Sequence, residues 1–415
     1  MIGAGVFTTS GFSFDDLGNR HDVLLAWALG GLIAICGAIS YGQLAQRITE
    51  SGGEYLFLSR LLHPAIGFIA GWVSLLAGFT GAIAFAATAF ESYAIPHAIR
   101  PDWYCSGLAG VLSIVVFGLL HSIFLRPGLV TQNLVVTLKL ILLVAFIFYA
   151  FAVFPDRWEG LKIETSSTDF SIYAIASTLV WISLSFSGFN AAVYVTGEVV
   201  EPKKNVPRAL LTGTLLVTAF YLALNTIFLF GPDPELIRGQ QAIAGIAAQA
   251  VGGNTLATLV RVIVSIALLS SVSSMVVAGP RVYAKMASDG VFPNFFNSSK
   301  REEMEIPVTA IWLQVLFASI VVSVSSLRAL LDYLGFTLSV SAAATVACIF
   351  WTRREKESSL RRLAYSTIAL IYVSMTLALA MLSAFSRPQQ LVGFVATLTT
   401  GMLMYFVFQK IRSDK

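Results

Sequence analysis

Lys139 stands alone in a run of apolar residues, Leu134-Val135-Val136-Thr137-Leu138-Lys139-Leu140-Ile141-Leu142-Leu143. An ammonium at the centre of a bilayer costs about 2.5–3.5 kcal/mol even on the mildest insertion scale. Such a lysine either snorkels to an interface or acts as an intramembrane cation, standing in for a bound metal ion or exchanging a proton. Two other segments break an apolar pattern with small residues: Gly3-Ala4-Gly5 and Ser185-Phe186-Ser187-Gly188-Phe189-Asn190. Glycine costs about 1 kcal/mol in a helix interior. Inside a membrane, broken backbone survives only where it is buried in protein or lines a cavity. A broken helix offers N–H groups at one half-helix end and carbonyls at the other, and such ends hold carboxylates and cations at the bilayer midplane. The competing reading is close helix packing through small residues. The serines at 270, 271, 273 and 274 are open to the same packing reading.

The elements that must position these residues follow from composition. Of the 415 residues, 56% are hydrophobic and 12% are charged. Soluble domains carry about 25% charged residues, so a water-soluble enzyme is excluded. Apolar runs of about 20 residues, enough to cross a bilayer as helix, recur at 23–45, 65–92, 103–120, 128–154, 171–197, 208–231, 256–280, 306–327, 333–352, 363–385 and 389–409. They are too long and continuous for the alternating ten-residue strands of a barrel. Residues 1–12 are apolar and glycine-rich but too short to cross. With that fragment ending outside, connections on the cytoplasmic side hold 18 of the 27 lysines and arginines, among them Arg47, Arg60, Lys203, Lys204, Arg281, Lys285, Arg353 and Arg354. The outside loops hold seven, including Arg157, Lys162, Arg328 and Arg387. The bias puts the C-terminus in the cytoplasm. The Gly/Ala-rich stretch 236–254 reads as an interfacial or lid helix on the outside. No basic n-region with a small-residue cleavage site opens the chain, so no secretory signal is read.

Other chemistries lack their residues. Cys36, Cys105 and Cys348 are far apart, with neither disulfide framework nor metal spacing. His21, His63, His97 and His121 sit near span ends, and no HExxH, GxSxG or P-loop is present. Neither metal nor cofactor is expected. The net charge of +4 is not gathered into a basic patch with exposed aromatics, so nucleic acid is set aside.

Four segments in order carry a family resemblance: MIGAGVF at the start, GGEYLFLSRLLHPAIGFIAGWV at 52–73, SFSGFNAAVYVTGEVVEPKKNVPRAL at 185–210 and GPRVYAKMASDGVFPNFF at 279–296. Together they resemble amino-acid permeases of the APC (amino acid–polyamine–organocation) superfamily over nearly the whole chain. The resemblance implies an all-α polytopic fold of two inverted five-helix repeats, 1–154 and 171–352, with two additional helices at 363–409. It implies breaks in helix one at Gly3–Gly5 and in helix six at Ser187–Phe189. Amides near Ala4 and Gly5 would take a substrate carboxylate, carbonyls near Phe186 its ammonium, and Phe186 or Phe189 would close over it; Ser187, Gly188 and Asn190 complete the expected site. Lys139 matches a helix-five lysine of several sodium-independent members, facing the helix-one break and Ser270. The implied activity is transport of amino acids by alternating access, driven by proton symport or exchange, with no enzyme chemistry. An accessory single-span partner is known for some members, and Cys105 lies near an outer end.

Two departures qualify the resemblance. Asn190 stands where some members carry an acidic residue after the helix-six break, and no other Asp or Glu is read deep in a span. That favours neutral substrates over cationic amino acids or polyamines. The cytoplasmic half of helix one, about 15 residues in the family, is lacking, so a truncated or misassigned start is expected; a non-transporting sensor is the alternative that this leaves. Arg47, Glu54, Arg60, Glu198, Lys203, Arg281 and Asp289 read either as inner-gate ion pairs or as solvated loop charges.

Overall fold

The computed structural model describes residues 1–96, 100–123, 125–153, 171–296, 299–301, 304–351 and 359–413. His97, Arg157, Lys162, Arg353, Arg354 and the expected boundary between the repeats lie outside them. Among the described residues nine helices are long and apolar enough to cross a membrane, and two shorter apolar ones, Leu108–Ile123 and Val308–Val324, join them. These eleven stand at the eleven places the apolar runs predict. The protein is an all-α polytopic membrane protein. A short antiparallel hairpin departs from this, pairing Ser299 with Ile306 and Arg301 with Met304.

Helix α1 (Ala4–Leu17) is the centre of the bundle: every residue from Ala4 to Phe14 is buried. It stops at Gly18, whose left-handed conformation (φ 67°) lets its N–H reach Phe14 O. The Asn19 side chain then caps α2 (Arg20–Arg47). The connection after α2 contains α3 (Gly53–Leu61), and His63 with Pro64 starts α4 (Pro64–Val73). The predicted span 65–92 is not one regular helix. Ser74–Gly81 winds as a π-helix before α5 (Ala82–Ala94) resumes. Apolar periodicity is too coarse to foresee this, because one wider turn leaves the stripe apolar.

Helices α6 (Leu108–Ile123) and α7 (Leu125–Val153) precede α8 (Ile172–Phe186), which Ser171 caps. Then come α9 (Pro202–Phe230), the short α10 (Pro234–Ile237) and α11 (Ile243–Ser288). α11 is kinked at Gly252 and Gly253, so Ile243–Val251 forms a segment of its own. This segment and α10 are the expected lid stretch. The turn between them lies on α1: Gly239 N–H donates to Gly11 O, and a side chain on Gly11 would overlap the Gln240 carbonyl. Helices α12 (Val308–Val324), α13 (Leu327–Ala347), α14 (Ser359–Ser386) and α15 (Gln389–Ser413) complete the fold. Apolar side chains such as Phe148, Leu360 and Val392 stand exposed on α7, α14 and α15. In lipid such exposure has no hydrophobic cost.

Candidate functional site

The two glycine-containing segments meet. α1 begins at Ala4 with Gly3 as its N-cap, and no side chain caps it, so the first amides of α1 have no helical partner. α8 ends at Phe186, and Ser187–Glu198 continues as a 3-10 helix with non-helical backbone at Val195. The sequence predicts a break at Ser187–Phe189; the chain changes winding there rather than unwinding, which keeps i→i+3 hydrogen bonds where full unwinding would leave polar backbone bare. The contact is close. A Cβ on Gly5 would stand 2.6 Å from Ser185 Cβ and 2.7 Å from its Cα, and one on Gly188 would stand 2.9 Å from Met1 N. Thr9 Oγ1 and Ser185 Oγ are 3.3 Å apart across the same seam. Gly3 faces Ser271 of α11.

Lys139 reaches the same place from α7. Its Nζ donates to Ile2 O and to Ser270 Oγ, both at 3.1 Å, and the side chain is buried. Ser270 in turn donates to Ala267 O at 2.8 Å. One ammonium thus joins the start of α1 to the middle of α11. Next to it, His121 Nε2 lies 2.8 Å from Ser273 Oγ.

Other expected residues turn elsewhere. Phe186 packs on Trp27 and Tyr221, with ring centroids 6.1 and 4.9 Å away. Phe189 packs on Tyr41 at 5.3 Å and on Tyr372 at 6.3 Å. The Asn190 amide donates to Glu54 Oε1 at 3.0 Å. A cavity touching Phe186 and Phe189 is lined also by Gly30 and Ala34 of α2, Ser183, Ser339 of α13 and Thr376 of α14. It contains nothing from α1, so it lies on the far side of α8 from the seam.

Several polar contacts around the seam were not anticipated. Tyr221 Oη lies 2.8 Å from Met1 O and 3.0 Å from Ser185 O, and its single proton serves one at a time. Trp27 Nε1 donates to Ser10 Oγ at 2.8 Å, and Ser10 Oγ donates to Asn225 Oδ1. Tyr93 Oη donates to Phe7 O at 2.6 Å. Each of these residues looks like an ordinary helix residue in the sequence; a polar type within an apolar run is the one signal that could have flagged Asn225.

Charged side chains cluster at both ends of the bundle. At one, Asp16 at the end of α1 accepts from Arg328 at 2.7 Å and Arg387 at 2.6 Å. Arg387 also approaches Asp332 at 3.5 Å and lies 4.5 Å over the ring of Trp181, whose Nε1 donates to Asp332 at 2.8 Å. Arg328 sits 5.5 Å from the same ring. At the lysine- and arginine-rich end, the expected ion pairs are present in part: Arg281–Glu198 at 3.3 Å, Arg60–Glu50 at 3.5 Å and Lys285–Asp289 at 2.9 Å. Tyr55 Oη donates to Asp289 at 2.8 Å. Glu54 differs from the rest in being buried and bonded by uncharged donors.

Sequence comparison now defines the class. The chain belongs to the amino acid permease family, whose sequence profile matches residues 1–408. It is a membrane transporter by family, not an enzyme. Among its relatives, the large neutral amino acids transporter small subunit 2 of Oryctolagus cuniculus is 24% identical, covering 98% of this chain and 77% of the relative. Asc-type amino acid transporter 1 of Mus musculus is 22% identical over 98% of this chain and 78% of its own. The b(0,+)-type amino acid transporter 1 of Mus musculus is 23% identical, with 98% and 85% covered.

Proposed function

We propose that this protein carries amino acids, neutral ones foremost, across the cell membrane by alternating access, without sodium, by proton symport or exchange. The carrying observation is the meeting of the uncapped start of α1, the α8 break and the Lys139 ammonium on Ile2 O and Ser270 Oγ. Amides of Gly3, Ala4 and Gly5 bind the substrate carboxylate, since a helix N-terminus favours anions. Carbonyls at the end of α8, near Phe186 and Ser187, bind the ammonium. Gly188 faces Met1 across the seam, whereas Phe189 and Asn190 stand outside it, on Tyr41, Tyr372 and Glu54. Lys139 supplies a fixed positive charge where a sodium ion would otherwise be needed, and so removes the requirement for the ion.

The two charged clusters act as the two gates. The Asp16–Arg328–Arg387 cluster faces outside and the Arg281–Glu198 and Lys285–Asp289 pairs face the cytoplasm, a reading supported by the lysine and arginine bias, which also favours a cytoplasmic C-terminus. Residues 1–154 and 171–352 form the inverted repeats, with the last two helices outside them. Similarity to the large neutral amino acids transporter small subunit 2 supports a neutral substrate and, through the words "small subunit", an accessory chain. The test is uptake of labelled amino acids into proteoliposomes, with and without a pH gradient and with and without internal amino acid. Flux of a neutral amino acid without sodium is expected. A flux that requires sodium, or no flux of any amino acid, refutes the reading.

A further inference from the structure

Glu54 lies outside the seam, yet it is tied to it through Asn190. Gly52 (φ 153°) and Gly53 (φ 60°) turn the chain so that α3 sends Glu54 inward. Only glycine fits at 53, since a side chain there would also overlap the Tyr194 ring. The carboxylate is buried, at 5% exposure. Its Oε1 accepts from Tyr41 Oη of α2 at 2.5 Å and from Asn190 Nδ2 at 3.0 Å, and Ser341 Oγ of α13 stands 2.8 Å from Oε2. The titratable groups facing it are Tyr41 from α2, Tyr194 from the 3-10 segment and Tyr372 from α14. The basic groups of α11 at this end, Arg281 and Lys285, are engaged with Glu198, Glu50 and Asp289. On α3 itself Arg60 is paired with Glu50.

This geometry accepts either protonation state. The tyrosine hydroxyl and the amide fill the lone pairs of Oε1. Oε2 faces a serine hydroxyl, which donates to a carboxylate or accepts from a carboxylic acid by rotating its own proton. Burial pushes the Glu54 carboxyl up, and the bonds from Tyr41, Ser341 and Asn190 pull it back down. A carboxyl that becomes hydrated returns to the ordinary range.

We propose that Glu54 is the proton-binding residue of this transporter, taking one proton on Oε2 while the cytoplasmic end is shut and releasing it to water when Asn190 and Ser341 move away. The proposal rests on the transport reading above. In each cycle one O–H bond forms on Oε2 from a solvent proton and one breaks to solvent, and the Ser341 hydroxyl turns from donor to acceptor and back. The sign follows from linkage: the buried carboxyl holds its proton to higher pH than the hydrated one, so opening toward the cytoplasm releases it there. An acid exterior therefore drives uptake. Asn190, which removes an acid from the helix-six break, instead connects that break to an acid supplied by α3.

The experiment uses the full chain in proteoliposomes. One arm measures uptake driven by an acid exterior with no internal amino acid, the other exchange at equal pH with internal amino acid. In Glu54→Gln, gradient-driven uptake is expected to fall about tenfold or more, while exchange persists. Glu54→Asp is expected to keep gradient dependence. Gradient-driven uptake that survives in Glu54→Gln overturns the proposal, as does a wild type that exchanges without responding to pH. Loss of both activities in a Glu54→Gln protein that still elutes as the wild type overturns it too, since that makes the residue structural. Where Glu54→Gln fails to fold, Ser341→Ala decides: losing this donor to the carboxylate is expected to move the pH of half-maximal uptake upward, and an unmoved profile overturns the proposal. No flux from the wild type in either arm overturns the transport reading along with it.

Discussion

Gly5→Ala is the sharpest perturbation of the seam. One methyl group would be placed 2.6 Å from Ser185 Cβ and 2.7 Å from Ser185 Cα. Carbon atoms in ordinary contact are about 3.5–4.0 Å apart, so α1 and α8 must separate by about 1 Å. The obstacle includes backbone, which no rotamer change removes. Overpacking of this kind costs about 1–3 kcal/mol, and a displacement of about 1 Å at a reacting site costs on the order of 100-fold in rate. Proteoliposome uptake of Gly5→Ala is therefore expected to fall by about that factor, through turnover as well as affinity, because both half-helix ends shift. Two controls isolate the cause. Gly78→Ala lies in the π-helix with its nearest neighbour 3.7 Å away, and it should transport as the wild type. Ser185→Gly in the Gly5→Ala background removes the Cβ and hydroxyl and should restore part of the activity, a coupling that a double-mutant cycle reads directly. Wild-type uptake by Gly5→Ala alone would refute the argument that the two segments must touch for transport.

Lys139→Met leaves Ile2 O and Ser270 Oγ without their donor. Uptake should drop at least about tenfold, while Ser270→Ala, which leaves the bond from Lys139 to Ile2 O in place, loses less; unchanged uptake with unchanged pH dependence would refute a coupling role. Arg387→Gln removes a charged bond to Asp16 and the stack on Trp181. With both partners mostly buried, a loss of about 1.5–3 kcal/mol is expected, read as a lower melting temperature in detergent; an unchanged melting temperature would refute it. Gly53→Ala combines a left-handed backbone with overlap of Tyr194; it should lower stability by more than about 1 kcal/mol, whereas Gly197→Ala, 3.1 Å from Ser51 Oγ, should lower it less.

Much of the architecture was legible in the sequence because bilayers impose a length. Eleven apolar runs of about 20 residues could be counted, and the helices stand there. Lys139 and the two glycine-containing segments were conspicuous for the same reason, as departures from what hydrocarbon tolerates. The family resemblance puts Ser270 beside Lys139, and the two are in contact. Charge counting could find the ends of the bundle, but it could not tell a paired charge from a solvated one. Arg281 and Glu198 are far apart in sequence yet 3.3 Å apart in space.

What the sequence determined by itself was a polytopic helical protein, its helix order and the few residues whose burial would be costly. Tertiary structure alone decided what those residues touch. The π-helix at Ser74–Gly81 leaves no trace in an apolar stripe. The ring of Asp16, Arg328, Asp332 and Arg387 around Trp181 joins parts of α1, α8, α13 and the turn after α14. Glu54 looked like a loop charge, because it sits between spans and beside a charged connection. It is buried only because two glycines turn α3 inward and because α2, the 3-10 segment and α13 converge there with donors for it. Hydropathy is a property of a run of residues, whereas partnership depends on which runs pack together, and only the folded chain sets that.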